Sequence, residues 1–182
     1  YAFEPRGVTD GKPHITVLNS DGRRWSFFTD GKAAGVAGTL SGSNSGNWFG
    51  DIPAPGFISL GKHTQGSGKP GGNPYKGAFG EILVYDHPLA EGERAALQEY
   101  YGRKYAGKSV GPAEPPREGL RYWLDASDLD ADQESANPAS GTPVSRWKDR
   151  ITGLELVQVD GKLQPRLEMI GAGAAAVGFD DD

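Results

Sequence analysis

The chain has 182 residues, with 28 glycines, 13 prolines, no cysteine and a formal charge of −5 from 24 acidic and 19 basic residues. The missing cysteines exclude disulfide scaffolds, thiolate zinc sites and cysteine nucleophiles together. The acidic balance has the wrong sign for a protein that binds by neutralising phosphates, so nucleic acid is not an expected partner. No stretch approaches the roughly 18 consecutive apolar residues of a membrane span, so no membrane insertion is expected either. Tyr1 opens the sequence without a basic or apolar leader, which reads as a piece of a longer polypeptide with adjoining domains.

Residues 14–29 alternate Ile15 and Val17 with Trp25 and Phe27 around Asp21-Gly22, a hairpin pattern. A second turn follows at Asp30-Gly31-Lys32. Glycine, serine and asparagine then dominate through residue 56, which reads as a long surface loop. Phe57-Ile58-Ser59-Leu60-Gly61 reads as a short strand, residues 62–77 as another glycine-rich loop, and Ala78 to Tyr85 as the strongest strand in the chain. From Leu89 to Tyr105 the period changes. Leu97, Tyr101 and Tyr105 fall four apart, Glu91 and Glu93 lie early, Arg103 and Lys104 late, and Gly107 follows, the charge order and cap of a helix over about 90–105. Residues 108–119 are proline-rich and read as a linker. Beyond it, Leu120–Leu124, Val144–Trp147, Leu154–Val159 and Ala174–Phe179 carry strand patterns.

Many short strands with one helix point to an all-β fold, an antiparallel β-sandwich, because strands this short must bury one face against a second sheet. Ile15, Val17, Trp25, Phe27, Ile58, Ile82, Val84, Leu97, Tyr101, Trp123 and Leu124 take the apolar phase of their elements and form the expected core.

Two segments carry a family likeness. Phe79-Gly80-Glu81-Ile82-Leu83-Val84-Tyr85-Asp86, followed by Pro88 to Arg94 and by Tyr101 to Tyr105, resembles the closing strand and helix of laminin-G-like domains of the concanavalin A-like lectin/glucanase superfamily. Leu120 to Asp128, Val144 to Asp149, Gln164-Pro165 and Ala176 to Asp180 resemble the opening of the same kind of domain. The likeness implies a jelly roll, with residues 1–107 as a closing half and 120–182 as an opening half, either parts of tandem domains or docked as one permuted sandwich. It implies a non-catalytic binding or adhesion module of a secreted or cell-surface protein, with glycan or protein ligands and sometimes calcium. The alternative is an accessory, substrate-positioning domain of a larger carbohydrate-active enzyme.

The chemistry in the residues themselves is sparse. Asp125, Asp128, Asp130 and Asp132 place hard oxygen ligands close together, as calcium wants, and Asp128-Leu-Asp130-Ala-Asp132 starts like an EF-hand loop. Gln133 then stands in place of the turn glycine and Ala139 in place of the bidentate glutamate, so a solvated acidic loop with Asp125 or Asp128 capping local backbone competes with the metal reading. Glu81 is alone on its strand, without the second carboxylate that glycoside hydrolysis requires, so no catalytic residue is assigned. Trp48, in Asn47-Trp48-Phe49, is an aromatic in a polar loop, either tucked under or exposed for binding. Asn47, Trp48, Asp51, His63 and Asn73 are the expected ligand-binding residues, combining an aromatic face with hydrogen-bonding groups suited to hydroxyl-rich ligands.

Overall fold

The structure, a computed structural model, describes residues 8, 10–22, 25–37, 59–64, 70–109, 111, 113–134, 136–170 and 173–180. The expected Asn47, Trp48, Asp51 and Ile58 lie outside the described residues. The chain divides into two compact units: the described parts of 1–53 with 85–119, and those of 54–84 with 120–182. Strands form antiparallel sheets in both and dominate the second, with one helix, in the first unit, among the described residues.

In the first unit, β1 (Thr16–Ser20), β2 (Trp25–Thr29) and β3 (Lys32–Ala37) form a three-stranded meander. Ser20 pairs with Trp25 across the expected Asp21-Gly22 turn. Thr29 pairs with Lys32, and between them Asp30 (φ 50°) and Gly31 (φ 77°) both take the left-handed region. That geometry matches the right-handed twist of a tight hairpin and explains the Asp-Gly pair. The first residues of the segment expected to be loop, 33–37, belong to β3. Their small side chains carry no alternating pattern; it is backbone pairing with β2, with a register shift at Phe27/Phe28, that recruits them.

The helix α1 (Glu91–Tyr105) forms where its charge order placed it. Glu93 Oε2 accepts the Ala90 N–H at 2.8 Å, satisfying one donor of the exposed first turn. Gly107 (φ 65°) turns the chain back so that the Lys108 N–H reaches the Gly102 carbonyl at 3.1 Å. Leu97, Tyr100 and Tyr105 are buried, whereas Tyr101 keeps partial exposure, so the closed face runs through Tyr100. Arg94 lies 4.0 Å over the Phe28 ring and donates to the Leu89 carbonyl at 2.6 Å. Buried Asn19 completes this corner: its Nδ2 donates to the Leu89 carbonyl (2.9 Å) and its Oδ1 accepts the Leu89 N–H (3.2 Å). Asn19→Ala leaves the Leu89 N–H unsatisfied and its carbonyl with Arg94 alone, and is expected to cost about 1 to 3 kcal/mol, readable as a lower denaturation midpoint.

The second unit holds β4 (Lys62–Thr64), β5 (Pro70–Pro74), β6 (Gly77–Phe79), the Glu81–Val84 part of β7 (Glu81–Tyr85), β8 (Leu120–Asp125), β9 (Arg146–Lys148), β10 (Glu155–Val157), β11 (Arg166–Ile170) and β12 (Ala174–Phe179). The segment expected as loop over 62–77 thus contains a β4–β5 ladder. The single strand expected at 78–85 is broken at Gly80: β6 pairs with β12 in the sheet β11-β12-β6, while β7 pairs with β8. At the break, the Gly80 carbonyl accepts the Ala126 N–H at 2.9 Å, so the interruption is itself hydrogen-bonded. The described end of the strand expected at 57–61 is not extended; Gly61 (φ 84°) sits so close to Phe179 that a Cβ there would lie 2.4 Å from the ring. β11 has no counterpart among the expected strands.

The core of this unit is Leu124, Ala126, Val144, Trp147, Leu167, Ala175 and Val177, with Phe79, Ile82, Leu129, Leu156 and Phe179 packed against it. Of the expected core residues, Leu97, Trp123 and Leu124 are buried; Ile15, Val17, Trp25, Phe27, Ile82 and Val84 remain partly exposed.

Candidate functional site

The acidic segment after β8 starts from a buried charge cluster. Trp123 and Asp125 point inward from β8, and the chain turns at once: the Asp128 N–H reaches the Asp125 carbonyl at 3.1 Å. Asp125 Oδ1 accepts the Ser127 N–H (2.9 Å) and Oγ–H (2.6 Å), while Oδ2 accepts from Arg150 Nη1 at 3.0 Å. Asp128 Oδ1 accepts the N–H groups of Asp132 (3.1 Å) and Gln133 (3.2 Å), and its Oδ2 lies 3.2 Å from Arg150 Nε. The guanidinium therefore spans two carboxylates, and its Cζ lies over the Trp123 ring, 3.8 Å from the centroid. Arg150 suits this place because a planar fork can face two acids while stacking on an indole.

Asp149, next in the chain, works in the opposite direction. Its Oδ1 accepts the Trp123 N–H, and its Oδ2 accepts the Thr152 N–H at 2.7 Å and the Thr152 hydroxyl. The Arg150 N–H donates to the Trp123 carbonyl at 2.9 Å. The segments 120–128 and 144–149, noted separately in the sequence, thus interlock through buried acids. Arg150 and Asn137 belong to no motif of the sequence. Asn137 binds the Ala126 carbonyl (2.7 Å) and the Leu129 N–H (3.3 Å), closing the acidic loop. The signal for Arg150 was indirect: two acids beside an apolar strand require a cation within reach.

Of the four expected calcium ligands, Asp128, Asp130 and Asp132 bring one carboxylate oxygen each within 4.8 Å of one another. Asp125 lies outside this group. Asp130 and Asp132 are exposed and Asp128 is buried. The fit to calcium is poor on two counts: the guanidinium at Asp128 opposes a divalent cation, and three carboxylates fall short of the six to eight oxygens that calcium collects. Asp132 Oδ1 also accepts the Glu134 N–H at 2.8 Å, part of the loop's own hydrogen bonding.

Of the expected ligand-binding residues, His63 lies on β4 and Asn73 on β5. Lys62 pairs with Pro74, so His63 and Asn73 stand one step inward on neighbouring strands, next to a register shift. Tyr75 follows directly, its N–H donating to the Gly61 carbonyl at 2.7 Å. Its ring stacks on Phe79 with centroids 4.5 Å apart, Phe179 lies edge-on to both, and Tyr75 remains 41% exposed. Burial of the rest of the side chain pushes its phenol above the ordinary tyrosine value.

Among the described residues no helix is long and apolar enough to cross a membrane. No family model matches the chain, and no curated protein or solved structure matches it.

Proposed function

We propose that the chain is part of a non-catalytic binding or adhesion module of a secreted or cell-surface protein, a jelly-roll sandwich of the laminin-G-like kind, that recognises glycan or protein ligands. The observation that carries this reading is the aromatic platform at Tyr75. A half-exposed ring, backed by Phe79 and Phe179, adjoins the ladder that bears His63 and Asn73. A supported aromatic face suits a sugar ring, which offers apolar C–H groups on one side.

A glycan-array screen with and without calcium tests the proposal. We expect selective retention of a subset of glycans, weakened by about 1 to 3 kcal/mol in Tyr75→Ala and in Trp48→Ala, with melting nearly unchanged in Trp48→Ala. Because the guanidinium at Asp128 opposes a cation in the Asp128–Asp130–Asp132 loop, binding and melting should be insensitive to millimolar calcium, and a calcium-dependent rise in either would return a metal to that loop. Full-strength binding in the Tyr75→Ala, Trp48→Ala double variant would move the site elsewhere.

A further inference from the structure

Two histidines of the first unit share an arrangement that the binding role does not use. His14 lies just before β1, with its side chain 16% exposed; its Nδ1 faces Asp30 Oδ2 and its Nε2 faces Asp10 Oδ1, both at 2.8 Å. Asp30 Oδ1 also accepts the Ile15 N–H at 3.0 Å, and the Asp30 N–H donates to the Ile15 carbonyl, so this carboxylate joins the β2–β3 turn to the start of β1. His87 lies between β7 and α1; its Nδ1 faces Asp86 Oδ1 at 3.1 Å and its Nε2 faces Glu93 Oε1 at 2.8 Å. Glu93 is the residue whose other oxygen caps the Ala90 N–H.

The chemistry of imidazole makes these clusters protonation-dependent. A neutral ring has one N–H and one lone pair, whereas the imidazolium has two N–H donors. With a carboxylate oxygen at each nitrogen, the neutral ring must set its lone pair against an acceptor and lose one of its two bonds. We propose that His14 and His87 are proton-operated clasps: as imidazolium, His14 ties Asp10 to the turn at Asp30 and His87 ties the Asp86-His87 pair to Glu93 at the start of α1, and loss of the proton weakens each tie, loosening the approach to β1 and the first turn of α1.

The surrounding charges agree. Around His14 stand Asp30 and Asp10, with the Lys12 ammonium 3.8 Å from Asp10; around His87 stand Glu93 and Asp86, with the Tyr85 ring edge-on at 6.0 Å. Hydrogen bonds donated to Asp30 and then Asp10 raise His14 above the ordinary imidazole value, and those donated to Glu93 and then Asp86 do the same for His87. His14 and the Lys12 N–H hold Asp10 low, and His87 and the Ala90 N–H hold Glu93 low. Burial pushes Asp30 up, but the Ile15 N–H and His14 outweigh it and the net direction is downward. The signs set a window. The histidine contribution is complete below about 6.5 and is lost as pH rises through the raised folded values. The carboxylate contribution is present above the ordinary carboxylate range and is lost as pH falls through the lowered values. The clasps are therefore closed from mildly acidic to near-neutral pH.

Histidine-ring NMR on the intact chain, titrated between about pH 5 and pH 9, reads each clasp across the range in which imidazole changes charge. Both midpoints should lie above the ordinary value; Asp10→Asn should lower the His14 midpoint and leave that of His87, and Glu93→Gln should do the converse. Amide exchange, corrected for its intrinsic pH dependence, should lose protection at Ile15 and in the first turn of α1 as pH rises, and His14→Gln or His87→Gln should abolish that loss at its own clasp. Midpoints at or below the ordinary value, or protection that does not change with pH, would overturn the proposal.

Discussion

Arg150→Ala is expected to destabilise the second unit by about 3 to 5 kcal/mol, because it leaves two buried carboxylates without their cation. The side chains of Asp125 and Asp128 are 3% and 9% exposed, and both face the one guanidinium at 3.0 and 3.2 Å. Water cannot replace that charge without opening the turn after β8. Arg150→Lys keeps the charge but offers a single ammonium in place of a fork that reaches two acids and stacks on Trp123, so an intermediate loss is expected. The triple replacement Arg150→Met, Asp125→Asn, Asp128→Asn should cost less than Arg150→Ala alone, since it strands no charge. Urea unfolding of the four proteins gives the order directly; an Arg150→Ala midpoint equal to that of the parent chain would show that the pair contributes nothing.

Trp123→Ala is the second large effect, about 3 to 5 kcal/mol for truncating a buried tryptophan. Trp123 is 1% exposed, among the most enclosed side chains of the molecule. Its loss opens a cavity and also removes the face against which Arg150 lies at 3.8 Å. The two substitutions share a contact and should be non-additive, the double variant losing less than the sum of the singles. A simple sum from denaturation curves would mean that stacking on the indole does not hold the guanidinium in place.

Local signals in the sequence had local outcomes. Asp21-Gly22 and Asp30-Gly31 both became hairpin turns, since a left-handed backbone at glycine or aspartate depends on neither packing nor partners. The charge order from Glu91 to Lys104 became α1 for a similar reason: dipole and cap interactions act within one turn of the helix ends. The candidate site was legible only in composition. Four aspartates close in sequence looked alike, yet Asp125 and Asp128 entered the buried network while Asp130 and Asp132 stayed exposed. Arg150, which separates those roles, lies 25 positions beyond Asp125 and carries no local mark.

What the sequence by itself determined, then, is the strand-rich, antiparallel character, the positions of the turns and the single described helix, because each follows from backbone preferences or short-range periodicity. Tertiary structure decided the rest. Ala78 to Tyr85 reads as one strand in the sequence, and its division at Gly80 between partners β12 and β8 is imposed by strands far away in the chain. β3 and β5 are rich in glycine and small residues and β4 has only three residues, and all three are strands because neighbouring backbone offers them hydrogen bonds. β11 owes its place to β12, whose buried Ala175, Ala176 and Val177 bring the two strands into register. Pairing of this kind is a long-range property: every backbone amide carries the same donor and acceptor, so only the fold selects which strands meet.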